Sequence, residues 1–131
     1  MNLRKIIQDV VNETIVKLKK SGMMKENKKS AFKKTEELLR NYPKLKVAAE
    51  TNDRTEQTKK LIKIMDVALK SIENDPYYKV IELIFWQHET REHIAEIFDV
   101  EVKTVTRNKN RLVNQLKIII FSDDVIKELF L

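Results

Sequence analysis

The sequence predicts an all-α protein, and three observations carry that prediction. Only one glycine, Gly22, and two prolines, Pro43 and Pro76, occur in 131 residues, so few positions favour positive φ or interrupt a helix. Hydrophobic residues make up 42% of the chain and charged residues 35%, a balance that suits amphipathic helices rather than disorder. Apolar residues also recur at helical spacing in successive segments. Together these features argue against hairpin-rich β folds and glycine-rich phosphate loops. The length is that of one domain, enough to bury a core without staples. The absence of cysteine excludes disulfides and thiolate metal sites and fits a reducing compartment.

The first predicted helix covers residues 3–20, where Leu3, Ile6, Ile7, Val10, Val11, Thr14 and Leu18 share a face. Lys17, Lys19 and Lys20 stand at its negative end, before Gly22. A second helix is expected from a Ser30 cap through Phe32, Leu38 and Leu39. Pro43 should stop it near Asn41 and Tyr42 and open a shorter segment through Leu45, Val47 and Ala48. Residues 50–57, ETNDRTEQ, contain no hydrophobic side chain and read as a linker or an exposed helix start. From about Asp53 to Glu73 a longer helix places Leu61, Met65, Ala68 and Ile72 on one stripe, facing the core or a partner helix. Asp75 then offers a capping carboxylate before Pro76 at the first helical position. The helix they open carries Tyr77, Val80, Ile81, Ile84, Phe85 and Trp86 and is expected to pack deeply. After the apolar run Ile118 to Phe121, Ser122, Asp123 and Asp124 suggest the cap of a short terminal helix through Val125, Ile126, Leu129 and Phe130. Its apolar face calls for burial in the core or in a homodimer. The expected organisation is a helical region over 1–74, for oligomerisation or partner contact, followed by a second region over 75–131.

The net charge of +6 is unevenly distributed. Lysine and arginine exceed aspartate and glutamate by 7 over residues 1–50, by 1 over 51–74 and by 4 over 101–117, whereas acids exceed bases by 4 over 75–100 and by 2 over 118–131. Basic blocks suit nucleic acid, an anionic surface or plain solvation. No apolar run approaches the roughly 20 residues that span a bilayer. Asp9 and Glu13 interrupt the stretch where an export signal would be apolar, so a cytoplasmic protein without a membrane partner is expected.

The segment TREHIAEIFDVEVKTVTRNKNRL is the most specific part of the chain. A helix-turn-helix requires a small residue where its helices cross, apolar contacts at fixed offsets and a residue that tolerates the tight turn. Counting from Arg91, Ala95 is the small residue, Ile94, Phe98, Val100 and Val105 are the apolar contacts, and Asp99 takes the turn, where a left-handed conformation is tolerable for aspartate. Asn108 stands at one position where an apolar residue is expected, while Leu112 and Leu116 continue the buried stripe. At 100° per residue from Val102, Val105, Leu112 and Leu116 fall within a sector of about 40°, and Lys103, Thr106, Arg107, Asn110 and Asn114 within another of about 100°, flanked by Thr104 and Arg111. Residues 102–117 contain no acid, whereas a solvated helix face normally mixes signs. Arginine and lysine pair with guanine edges and asparagine with adenine, so Lys103, Arg107 and Asn110, assisted by Thr106, are the expected base readers of double-stranded DNA. Thr104, Lys109, Arg111, Asn114 and Lys117 are the expected phosphate contacts.

Taken in order, FKKTEELLRNYPKL, YYKVIELIFW, REHIAEIFDVEVKTVTRNKNRL and FSDDVIKEL resemble the ArpU-type phage transcriptional regulators, a family named for an autolysin regulatory protein. The resemblance covers roughly residues 31–131. It implies a small, cytoplasmic, prophage-type activator of late or lysis-related genes, whose C-terminal part is similar to the promoter-binding region 4 of sigma factors. It further implies a recognition helix from Val102 to Leu116 and a supporting helix from Arg91 to Phe98. Glu101 departs from the serine or aspartate cap such a helix usually carries.

Other chemistry finds little footing. His88 and His93 lie five residues apart, not the four that place two ligands on one helical face, so no metal site and no cofactor is expected. Glu89, Glu92 and Glu96 stand on the outer face of the supporting helix without a second acidic cluster; they read as solvated or as facing RNA polymerase. No nucleophile with its partners is discernible, and no enzymatic activity is expected. Two alternatives to a regulator remain: a phage terminase small subunit, which would form a ring of many copies, and a helical adaptor without DNA binding that assembles through the 53–73 helix.

Overall fold

In a computed structural model, the backbone is described for residues 24–50 and 56–122 and the side chains for 31–50 and 56–122. The helices expected over 3–20 and beyond Ser122 lie outside these residues. Every regular element described is helical. In chain order they are α1 (Met24–Ala49), α2 (Glu56–Ile72), α3 (Tyr78–Ile81) with a widened turn over Glu82–Trp86, α4 (Arg91–Phe98) and α5 (Val102–Ile120).

α1 does not stop at Asn41 and Tyr42 as its proline predicts; it runs unbroken through Pro43. Proline has no N–H for the carbonyl four residues back, here that of Leu39. The Trp86 indole Nε1–H fills that vacancy, donating to the Leu39 carbonyl at 2.8 Å. A tertiary hydrogen bond therefore replaces the helical one, and Tyr42 packs beside the same indole with ring centroids 5.7 Å apart. The α1 end is fastened to α2 by Tyr42, whose hydroxyl donates to the Asp66 carboxylate, and by Lys46, 3.6 Å from that carboxylate.

On α2 the predicted stripe Leu61, Met65, Ala68 and Ile72 is buried within this chain, together with Thr58 and Leu69. After it, the Asp75 carboxylate accepts the Tyr77 N–H at 2.9 Å, as a cap ahead of proline should. Regular helix nevertheless begins only at Tyr78. From Glu82 the helix widens to a π turn, in which the Gln87 N–H donates to the Glu82 carbonyl five residues back at 3.0 Å.

Two buried clusters organise the molecule. The larger joins Leu38, Leu39 and Leu45 of α1, the α2 stripe, Ile81 and Phe85, and Leu112, Val113, Leu116 and Ile120 of α5. The smaller joins Val80 and Leu83 to Ile94, Ala95 and Val105. The 78–86 segment thus buries two faces at once, which explains why its sequence is apolar nearly all round. Residues from both sides of position 74 share the larger cluster. α5 also belongs to both clusters, Val105 to the smaller and its C-terminal half to the larger, and it continues three residues past Lys117 to Ile120.

Candidate nucleic-acid interface

The candidate site is built on the α4–α5 pair. The Thr90 backbone is extended, and its hydroxyl accepts the His93 N–H at 3.1 Å, capping α4. At the other end Asp99 is left-handed, with φ 53° and ψ 51°, as the missing glycine demanded. The Val100 N–H reaches back to the Ala95 carbonyl at 3.0 Å and the Asp99 N–H to that of Glu96 at 3.2 Å. These two bonds close a Schellman stop, accompanied by the usual apolar contact of the following residue, Val100, with the last turn. Only Asp99, Val100 and Glu101 separate the two helices. Glu101 caps α5 with no side-chain hydrogen bond; its carboxylate lies 3.3 Å from the Lys103 ammonium instead.

Of the expected scaffold residues, Ile94, Ala95 and Val105 are buried together, with Phe98 and Val100 packed against them. The Phe98 ring stacks on Tyr77 at 5.4 Å, tying the α4 end to the segment before α3. Leu112 was expected to share this scaffold, but it belongs to the larger cluster, because two helical turns carry it past the end of α4. Asn108, the departure from the apolar pattern, is satisfied locally: its amide donates to the Thr104 carbonyl at 2.9 Å and its oxygen accepts from Arg111 at 3.1 and 3.2 Å.

Among the expected base readers, Lys103 and Arg107 are exposed, and Thr106 and Asn110 are partly so. Asn114 is exposed, and Thr104 and Lys117 are half-buried. These seven residues lie on the same helix outside the buried stripe, and none is acidic.

Two expected phosphate contacts require correction. Lys109 is buried, 5% exposed; its ammonium donates to the Glu36 carboxylate of α1 at 2.8 Å and sits 5.4 Å from the centroid of the Phe32 ring. Its position explains this. The buried arc of α5 spans about 100° and includes Val113 and Ile120 as well as the predicted stripe, and Lys109 falls inside it. Arg111 is engaged rather than free. It forks onto Asp75 through two hydrogen bonds, 2.8 and 2.9 Å, and these hold the Asp75 carboxyl below its ordinary pKa and the guanidinium above its own. Neither partner is legible from the local pattern, since Glu36 and Asp75 lie 73 and 36 residues away.

On the far side of α4, Glu92 and Glu96 are exposed and His93 Nδ1 lies 2.6 Å from the Glu89 carboxylate. That hydrogen bond raises the imidazole pKa above its usual value. Among the described residues no group of three or more histidine or carboxylate side chains could hold a metal ion, and no helix is long and apolar enough to cross a membrane. No protein-family model, curated protein or solved structure matches this chain.

Proposed function

We propose that the chain is a sequence-specific DNA-binding transcriptional regulator of the phage or prophage type, an activator of late genes acting in the cytoplasm. In this reading α4 and α5 form a helix-turn-helix of the sigma region 4 kind, and the N-terminal half of α5 enters the major groove. Lys103, Arg107 and Asn110 read base edges with Thr106 assisting, while Thr104, Asn114 and Lys117 contact phosphates. The observation that supports this best is the acid-free outer surface of α5, presented directly after a three-residue turn in which Asp99 is left-handed.

Arg107→Ala tests the reading. A lost bidentate contact is worth about 1–3 kcal/mol at the correct base, so affinity for a duplex selected from a random pool should fall by about 5- to 150-fold. Affinity for unselected duplex should fall far less. Equal losses on both duplexes would remove Arg107 from the readers, and no binding by the unaltered protein at low salt would end the proposal. Mass in solution separates a monomeric or dimeric regulator from a many-membered packaging ring.

A further inference from the structure

The basic excess at the N-terminal end has no role in the α5 site, but part of it is arranged. Lys33, Arg40 and Lys44 are exposed on α1. At 100° per residue they lie within about 40° of one another, opposite the buried Leu38, Leu39 and Leu45. The row runs about 16 Å along the helix, the axial length of about five phosphates on one DNA strand.

No acid is left unpaired along this row. Glu36 is bound to Lys109 and Glu37 lies 3.5 Å from Lys34, whereas Lys33, Arg40 and Lys44 have no ion-pair partner among the described residues. Each acid beside the row is thus already matched by a lysine outside it.

The row is also anchored to α5. Glu36 stands one turn from both Lys33 and Arg40, and its carboxylate grips Lys109 at 2.8 Å. Lys109 in turn stands one turn before Val113 and one turn after Thr106. The α1 row and the outer surface of α5 each begin about 60° or less around their own helix from this one pair. The pair neutralises Glu36, the acid that stands beside both.

We propose that Lys33, Arg40 and Lys44 form a second contact for the backbone of duplex DNA, held in fixed relation to α5 by the Glu36–Lys109 pair. This rests on the reading of α5 as the DNA-binding helix and extends its footprint. The row reads no sequence; it adds affinity and sets how the duplex lies across the molecule.

The test is the salt dependence of binding to a random-sequence duplex of about 30 base pairs, where each phosphate contact contributes about 0.9 to the slope of log affinity against log salt. Lys33→Gln combined with Lys44→Gln leaves Arg40 in place over the Phe85 ring, 5.7 Å from its centroid, so the fold is not at stake. The slope should fall by nearly two and the affinity for selected and random duplex should weaken by the same factor. An unchanged slope in this variant, with Arg107→Ala still lowering selected-site affinity, would overturn the second contact and leave the α5 reading intact. No binding of the unaltered protein to either duplex would overturn both. A circular-dichroism melt matching the unaltered protein confirms that the slope reports contacts and not unfolding.

Discussion

Lys109→Met should be strongly destabilising, although the residue stands in the middle of a helix expected to face DNA. The side chains of Lys109 and Glu36 are 6% and 16% exposed. Removing one member of a buried ion pair strands the other charge, at a cost of about 3–5 kcal/mol. Glu36 retains some access to water, which favours the lower end, about 3 kcal/mol. With an unfolding entropy of about 2.1 cal/mol/K for each of the 131 residues, that loss lowers Tm by about 10 °C. The double variant Glu36→Leu, Lys109→Met removes both charges and should return to within about 1 kcal/mol of the unaltered protein. Urea unfolding followed by far-UV circular dichroism gives all four corners of the cycle. Simple addition of the two single costs in the double variant refutes the buried pair.

Trp86→Phe keeps the aromatic packing but leaves the Leu39 carbonyl with no donor, and should cost about 1–3 kcal/mol in chemical denaturation. Pro43→Ala supplies the missing backbone N–H, so most of that loss should be recovered in the combined variant; a loss unchanged by Pro43→Ala would detach the tryptophan from the proline. The His93 imidazole, its pKa raised by the Glu89 hydrogen bond, titrates higher in the folded chain than in the unfolded one. Its contribution is complete below the unfolded pKa and disappears as pH rises through the folded one, so Tm should decline as pH rises above the ordinary histidine pKa of about 6.5. Glu89→Gln should flatten that decline, and an equal decline in both proteins would assign it to another group.

Local signals were legible wherever the deciding chemistry lay close in the chain. The turn between the helices calls for a left-handed residue, aspartate tolerates that conformation, and Asp99 adopts it. The spacing of Ile94, Ala95 and Val105 marked the contact between α4 and the start of α5, and the α2 stripe was marked by its spacing alone. What stayed hidden depends on distant partners. Pro43 ends a helix unless something else satisfies the Leu39 carbonyl, and the donor lies 47 residues further on. Lys109 carried a partial warning, because its angular position falls beside Val105, Leu112 and Leu116; the carboxylate that makes its burial possible, Glu36, lies 73 residues away. Arg111 gave no such warning, as its angle faces outward and only the fold brings Asp75 beneath it.

The sharing of α5 between two cores bears on how this protein can be divided. A fragment beginning at residue 75 would retain Val80, Leu83, Ile94, Ala95 and Val105 but would leave Leu112, Val113, Leu116 and Ile120 facing water in place of Leu38, Leu39, Met65 and Ala68. The α5 surface proposed to meet DNA is therefore not a portable module. Exchanging it for another specificity means rewriting the outward positions of α5 in place, with the inward ones, Lys109 among them, left as they are.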